Sequence, residues 1–143
     1  MIHFLLAQNK VGRTRIAKYY VKYTPEERSV LEREVHRIIT TRGNKQTNFI
    51  DYRNQKIVYR RYAGLYFTIA CDNTDNELGM IEAIHLFVET MNRHFGVVSE
   101  LNLVFDFAVV HLIMDEIFLA GHIQETSIPS ILNNVKQLNL FEE

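Results

Sequence analysis

The sequence predicts an α+β fold, a five-stranded antiparallel sheet covered by helices on both faces. Three observations lead there. The stretch Ile57 to Cys71, IVYRRYAGLYFTIAC, places two apolar runs around Ala63-Gly64, the spacing of a hairpin closed by a tight turn with Gly64 at positive φ. Both runs are apolar at odd and even positions, so both faces of that hairpin need cover. Thr24-Pro25-Glu26-Glu27 opens a strong helix, and from Ser99 onward the pattern is helical throughout.

The elements follow in order. Ile2, Phe4 and Leu6 alternate with His3, Leu5 and Ala7, a first strand to about Gln8. Asn9-Lys10-Val11-Gly12 is a turn, and Thr14 to Tyr23 reads as a second strand, with Arg15, Ala17, Tyr19, Val21 and Tyr23 on one side. Thr24 can cap the first helix, Pro25 suits its first position and Glu27 completes a capping box; Leu31, Val35, Ile38 and Ile39 form its apolar stripe until Gly43 ends it. Asn48 to Tyr52 is a short strand and Arg53-Asn54-Gln55 a turn into the opening hairpin. Thr74-Asp75-Asn76-Glu77 reads as a second capping box, for a helix striped by Leu78, Ile81, Ile84, Val88, Met91 and Phe95. Three helices are expected after it: a short one near Leu101 to Phe105, one from Phe107 to Leu119 stopped by Gly121, and one from Pro129 to Asn139. The order is therefore ββα-βββ-ααα.

With 143 residues, 47% of them hydrophobic, one domain spanning 1–143 around one core is expected. The net charge of -1 argues against nucleic-acid binding. Charge is uneven, however: residues 1–25 carry Lys10, Arg13, Arg15, Lys18 and Lys22 without an acid, which predicts a basic patch at the first hairpin tip. A lone cysteine, Cys71, excludes an intramolecular disulfide and suits a reducing cytosol. The N-terminal apolar run is short and precedes the basic residues, the reverse of a secretory signal. No apolar run is long enough to span a membrane and no lipidation box is present, so membrane association is expected only through partners.

Catalytic chemistry finds no footing. There is no phosphate-cradling glycine loop, no Gly-x-Ser-x-Gly elbow and no His-Glu-x-x-His. Glu82 and His85 are two metal donors where a site needs four, and no histidine has a Ser or Cys arranged beside it for nucleophilic attack. Neither a metal, a cofactor nor an enzymatic activity is expected. Two features carry the functional reading. One is the basic set Lys10, Arg13 and Arg15 with Arg60 or Arg61, either a solvated hairpin tip or an anion site; Arg15 begins an apolar register, so its fork is expected to meet an acid or phosphate at the rim. The other is a surplus of apolar helix surface after residue 77, which as a set points to an obligate partner.

Tyr59-Arg60-Arg61-Tyr62-Ala63-Gly64-Leu65-Tyr66-Phe67, the opening Met1-Ile2 with Gln8-Asn9 and Gly12-Arg13-Thr14-Arg15, Thr47-Asn48-Phe49, Asp115-Glu116 and Gln124-Glu125-Thr126-Ser127 resemble the sigma, or small, subunits of the heterotetrameric clathrin adaptor complexes. The resemblance covers essentially the whole chain. Gln8-Asn9, Thr47-Asn48-Phe49 and Ala63-Gly64 are similar to the plasma-membrane type, adaptor complex 2; the Golgi and endosomal type carries Ser in place of Gly64. It implies a longin-like fold, an alpha-type large subunit with beta and medium subunits as partners, and a cytoplasmic location at clathrin-coated pits. Clathrin and phosphoinositide membrane would be met only through the other subunits. It further implies that the chain helps bind acidic dileucine signals, an Asp or Glu, three residues, then Leu and Leu or Ile, in cytoplasmic tails of membrane proteins during endocytosis. Carried over, Arg15 would meet the acidic position, while Ala63, Leu65, Val88, Val98 and Leu103 would line the leucine pockets. Val97 stands where the family carries Asn beside the first pocket, and Lys10 where it carries Arg, keeping charge without the fork. Arg13 and Arg61 would support the basic patch. The alternative is a purely structural longin-like coat subunit, as coatomer zeta is, or a Golgi-type adaptor subunit, without a cargo site of its own.

Overall fold

Five antiparallel strands form one sheet in the order β2-β1-β5-β4-β3, built from β1 (Ile2–Gln8), β2 (Thr14–Tyr19), β3 (Phe49–Tyr52), β4 (Gln55–Tyr62) and β5 (Leu65–Asp72). The computed structural model describes residues 1–42, 48–119, 121–123 and 127–142, with side chains as far as Leu138. Alternation sorts the strands onto two cores. Phe4, Leu6, Ile57, Tyr59 and Ala70 pack against Leu31, Val35 and Ile39 of α1 (Pro25–Thr41) on one face. Ile2, Leu5, Ala7, Val58, Leu65, Phe67, Ile69 and Cys71 meet α2 (Glu77–Phe95), α3 (Glu100–Phe105), α4 (Phe107–Ile117) and α5 (Ile128–Glu142) on the other. The two-sided cover expected for the central hairpin is thus present.

Helix α1 starts as its sequence dictates. Glu27 N–H donates to Thr24 Oγ1 at 3.1 Å and Thr24 N–H donates to Glu27 Oε1 at 3.3 Å. Its expected stop at Gly43 lies outside the described residues. Helix α2 starts differently from expectation: Asn76, not Thr74, is the cap, its Oδ1 accepting from Leu78 N–H at 3.1 Å and Gly79 N–H at 3.4 Å. Asp75 is engaged elsewhere, accepting from the Asp72 N–H at 2.9 Å and the Met1 amino group at 2.6 Å. The turn before β4 is Arg53-Asn54 alone, both residues at positive φ, and Gln55 already pairs with Tyr52.

Two further boundaries differ. Strand β2 ends at Tyr19 rather than Tyr23, because Tyr20 and Val21 both direct their N–H groups to the one carbonyl of His3, at 2.8 and 3.3 Å. The chain after residue 99 is not all helical either: α4 stops at Ile117, and β6 (Phe118–Leu119) pairs with β7 (His122–Ile123). Ile117, Phe118 and Leu119 suit a helix or a strand equally on their own. What decides is the docking of this small hairpin on β1, where Gly121 accepts the Ile2 N–H at 2.7 Å.

Gly121 has φ +84°, and a Cβ there would sit 2.7 Å from the Ile2 carbonyl oxygen. Gly96 has φ +92° with open space around it. Gly121→Ala should destabilise the chain more than Gly96→Ala in urea denaturation of the assembled complex, because the Gly96 change costs backbone strain alone, about 1–3 kcal/mol, and the Gly121 change adds the clash with the Ile2 carbonyl.

Candidate functional site

The register of the central strands brings two hairpin tips together. Gln8 at the end of β1 pairs with Tyr66 at the start of β5, so the β1–β2 tip lies beside the β4–β5 turn. That turn is the two-residue Ala63-Gly64, closed by the Tyr62–Leu65 pair, with φ of 50° and 81°. Lys10 reaches across it: a Cβ on Gly64 would meet the Lys10 Cε at 3.4 Å. Between the tips is a cleft of about 400 Å³ lined by Asn9, Lys10, Val11, Ala63, Gly64 and Glu100.

Asn9 organises the first tip. Its Oδ1 accepts from Val11 N–H at 3.1 Å and Arg13 N–H at 2.9 Å. Its carbonyl accepts from Gly12 N–H at 3.2 Å and from His36 Nε2 of α1 at 3.1 Å, which places the imidazole proton on Nε2. Arg15 is then set by a bulge. Ala7 faces Ile16 while Gln8 faces Thr14, so Arg15 is the extra residue of β2, and a bulge re-aims the side chain that it carries. Ala17 and Tyr19 do pack on the α1 side as their alternation requires, but Arg15 departs from that register.

The Arg15 Nε donates to Glu100 Oε1 at 2.8 Å, and Asn9 Nδ2 donates to the same oxygen at 2.8 Å. Glu100 is the first residue of α3, where Ser99 N–H is satisfied by Asn102 Oδ1 at 2.9 Å. The Asn9 hydrogen bond first, then that of Arg15 and the charges of Arg15 and Arg13, hold the Glu100 carboxyl below its ordinary value. An arginine fork at the rim meeting a carboxylate was the expectation; that the carboxylate belongs to this chain, 85 residues away, was not legible in any spacing. The only local signal was an acid at the start of a short helix.

The apolar candidates divide by burial. Leu65, Val88, Val98 and Leu103 are each 1–2% exposed and belong to one buried cluster. Val97 is 77% exposed. Gly96 ends α2, and Asn92 Oδ1 accepts the Val98 N–H at 2.9 Å, which turns the chain so that Val98 points in and Val97 out. Ala63 is exposed on its turn. Among the basic candidates Lys10 and Arg13 are exposed at the tip. Arg60 and Arg61 lie over rings of their own hairpin, 5.7 Å from the Tyr62 centroid and 5.6 Å from that of Tyr66.

Other chemistry is sparse. Among the described residues no group of three His, Cys, Asp or Glu side chains could hold a metal ion. Glu82 and His85 are exposed, and His85 Nδ1 stands 3.4 Å from the Tyr62 hydroxyl. Burial pushes the Cys71 thiol up to about 11, away from the reactive thiolate. No described helix is long and apolar enough to cross a membrane.

Residues 1–142 match the family model of the clathrin adaptor complex small chain, and the chain belongs to that family of adaptor subunits, which are not enzymes. It is 50% identical over 143 residues to the AP-2 complex subunit sigma of Neurospora crassa, covering 99% of this chain and 100% of that one. Identity to the AP-2 complex subunit sigma of Dictyostelium discoideum is 50% over 139 residues, 97% of this chain and 98% of the relative. The AP-1 complex subunit sigma-1 of Arabidopsis thaliana is 47% identical over 127 residues, 89% and 79% of the two chains. A chain of a full-length AP-3 complex, a homology model in a stretched open conformation, superposes with a TM-score of 0.76 at 29% identity, covering 97% of this chain and 94% of that one. The five-stranded sheet with its helices is therefore the longin-like fold of an adaptor subunit.

A carboxyl held low in the folded state contributes stability above its unfolded pKa and loses it as pH falls through the folded one. The Arg15–Glu100 contact should persist through neutral pH and fail only below the ordinary value of 4.5. Arg15→Ser should move the Glu100 titration back up toward that value, as read by carboxyl carbon NMR of the labelled chain.

Proposed function

We propose that this clathrin adaptor small chain helps bind acidic dileucine signals in the cytoplasmic tails of membrane cargo. It would act in a heterotetramer with an alpha-type large subunit and beta and medium subunits, at plasma-membrane coated pits, meeting clathrin and phosphoinositide lipid only through them. The observation that carries the reading is that Arg15, the bulge residue of β2, is held by Glu100, a residue lining the cleft bounded by Ala63 and Gly64. Leu65, Val88, Val98 and Leu103 belong to the core that β5, α2 and α3 build behind it. Each leucine of a signal contributes roughly 1.5–3 kcal/mol when fully buried, whereas an exposed ion pair adds about 0.2–1 kcal/mol. Affinity then comes from the apolar pair, and Arg15 supplies the preference for an acid. Phe105 and Phe107, 77% and 57% exposed, with Leu101 and Val104, form apolar surface on and after α3 of the kind a large subunit would cover.

A second reading is a purely structural coat subunit, and the burial of the four apolar candidates favours it: a leucine can enter only if side chains at the rim move aside. Val88→Asp would place a carboxylate in the core and report on folding instead. Val97→Asp is the informative change, because Val97 is exposed and contributes no core packing. In the assembled complex it should weaken a Glu-x-x-x-Leu-Leu peptide about tenfold or more in fluorescence anisotropy, and Arg15→Ser should weaken that peptide about fivefold more than its Gln counterpart. Unaltered binding by both variants would leave the structural reading.

A further inference from the structure

Glu100 has no place in the pocket described for the two leucines, yet it holds the one guanidinium proposed to read the cargo's acid. Its Oε1 takes the Arg15 Nε at 2.8 Å, and Asn9 holds the same oxygen at 2.8 Å. The Asn9 contact is independent of Arg15, and Asn9 is itself fixed by His36 and by its turn with Val11 and Arg13. Asn9 thus restrains Glu100 beside Arg15 through a contact that does not involve Arg15 itself. It also lines the cleft with Lys10, Ala63 and Gly64, so a peptide carboxylate approaching Arg15 from there meets a second carboxylate. The Glu100 side chain is 39% exposed and that of Arg15 26%, so water screens the pair only in part.

We infer that Glu100 is a specificity-determining residue of the acidic-signal site: an internal carboxylate that competes with the cargo's acid for Arg15 and so holds down the preference for acidic over neutral dileucine tails. The inference rests on the dileucine reading above. Two carboxylates on one guanidinium repel each other, and a cargo acid gains only what remains after Glu100 has taken its share. Glu100→Gln keeps an oxygen for the Asn9 hydrogen bond and removes the charge, which isolates the effect.

The test uses the assembled adaptor complex and two fluorescent peptides, one with Glu four residues before Leu-Leu and one with Gln there. Glu100→Gln should raise the ratio of Glu-peptide to Gln-peptide affinity by about fivefold at 0.1 M salt, with the gain shrinking as salt rises. An unchanged or lowered ratio overturns the inference, since Glu100 would then be inert or would orient Arg15 for the peptide. Glu100→Asp, which keeps the charge but withdraws it by one methylene, should raise the ratio less than Glu100→Gln; an equal or larger rise also overturns it. If the wild-type complex binds neither peptide, the dileucine reading fails and the inference with it. If it binds both and Val97→Asp abolishes binding while Glu100→Gln leaves the ratio where it was, the inference alone fails.

Discussion

The fold depends on a sheet whose inner strands are buried on both sides. Ile2, Phe4, Leu5, Leu6 and Ala7 of β1 are at most 1% exposed, and β5 is buried from Phe67 to Cys71. A strand in that position needs two layers of helix, and the chain supplies them unequally: α1 alone on one face, α2, α3, α4 and α5 on the other. One polar side chain caught in this arrangement is tied to the layer above through its amide nitrogen. Gln8, fully buried, donates to the Glu32 carbonyl of α1 at 2.9 Å and to Thr14 Oγ1 at 3.2 Å, which anchors the end of β1 where the first tip begins.

The cleft is a by-product of the same register. Once Gln8 lies opposite Tyr66, both hairpin tips project from one end of the sheet, and whatever residues they carry become neighbours. Charge then gathers there without a dedicated domain: Lys10 and Arg13 from one tip, Arg15 from the bulge, Glu100 from the start of α3. A rigid sheet end with exposed turn residues suits a recognition surface, since the scaffold holds position while the turns vary. Asn9 shows the economy of the design. Its amide oxygen shapes the tip and its amide nitrogen restrains the acid that partners Arg15.

Local chemistry was legible wherever a few adjacent residues decide the outcome. The Thr24–Glu27 box, the Ala63-Gly64 turn and the alternation of β1 needed no partner to be read. Adjacent residues that are ambivalent leave the outcome to tertiary contacts. Ile117 to Leu119 could continue a helix, and Thr74 could cap one, until the contact with Ile2 set the first and Asn76 took the cap in the second. The apolar half of the site was legible as residues but not as a surface. Val97 and Val98 are chemically alike, and the turn at Gly96 with the Asn92 hydrogen bond to the Val98 N–H sorts one outward and the other into the core.

Sequence by itself determined the family, the two-faced sheet, the main helices and an arginine that wants an anion. The family follows from a resemblance that runs along the whole chain, the rest from periodicity and capping, properties carried along single segments. Tertiary structure alone decided which anion Arg15 meets and which way it points. A bulge exists only relative to the register of the neighbouring strand, and an ion pair between residues 15 and 100 exists only once β2 and α3 have been laid side by side.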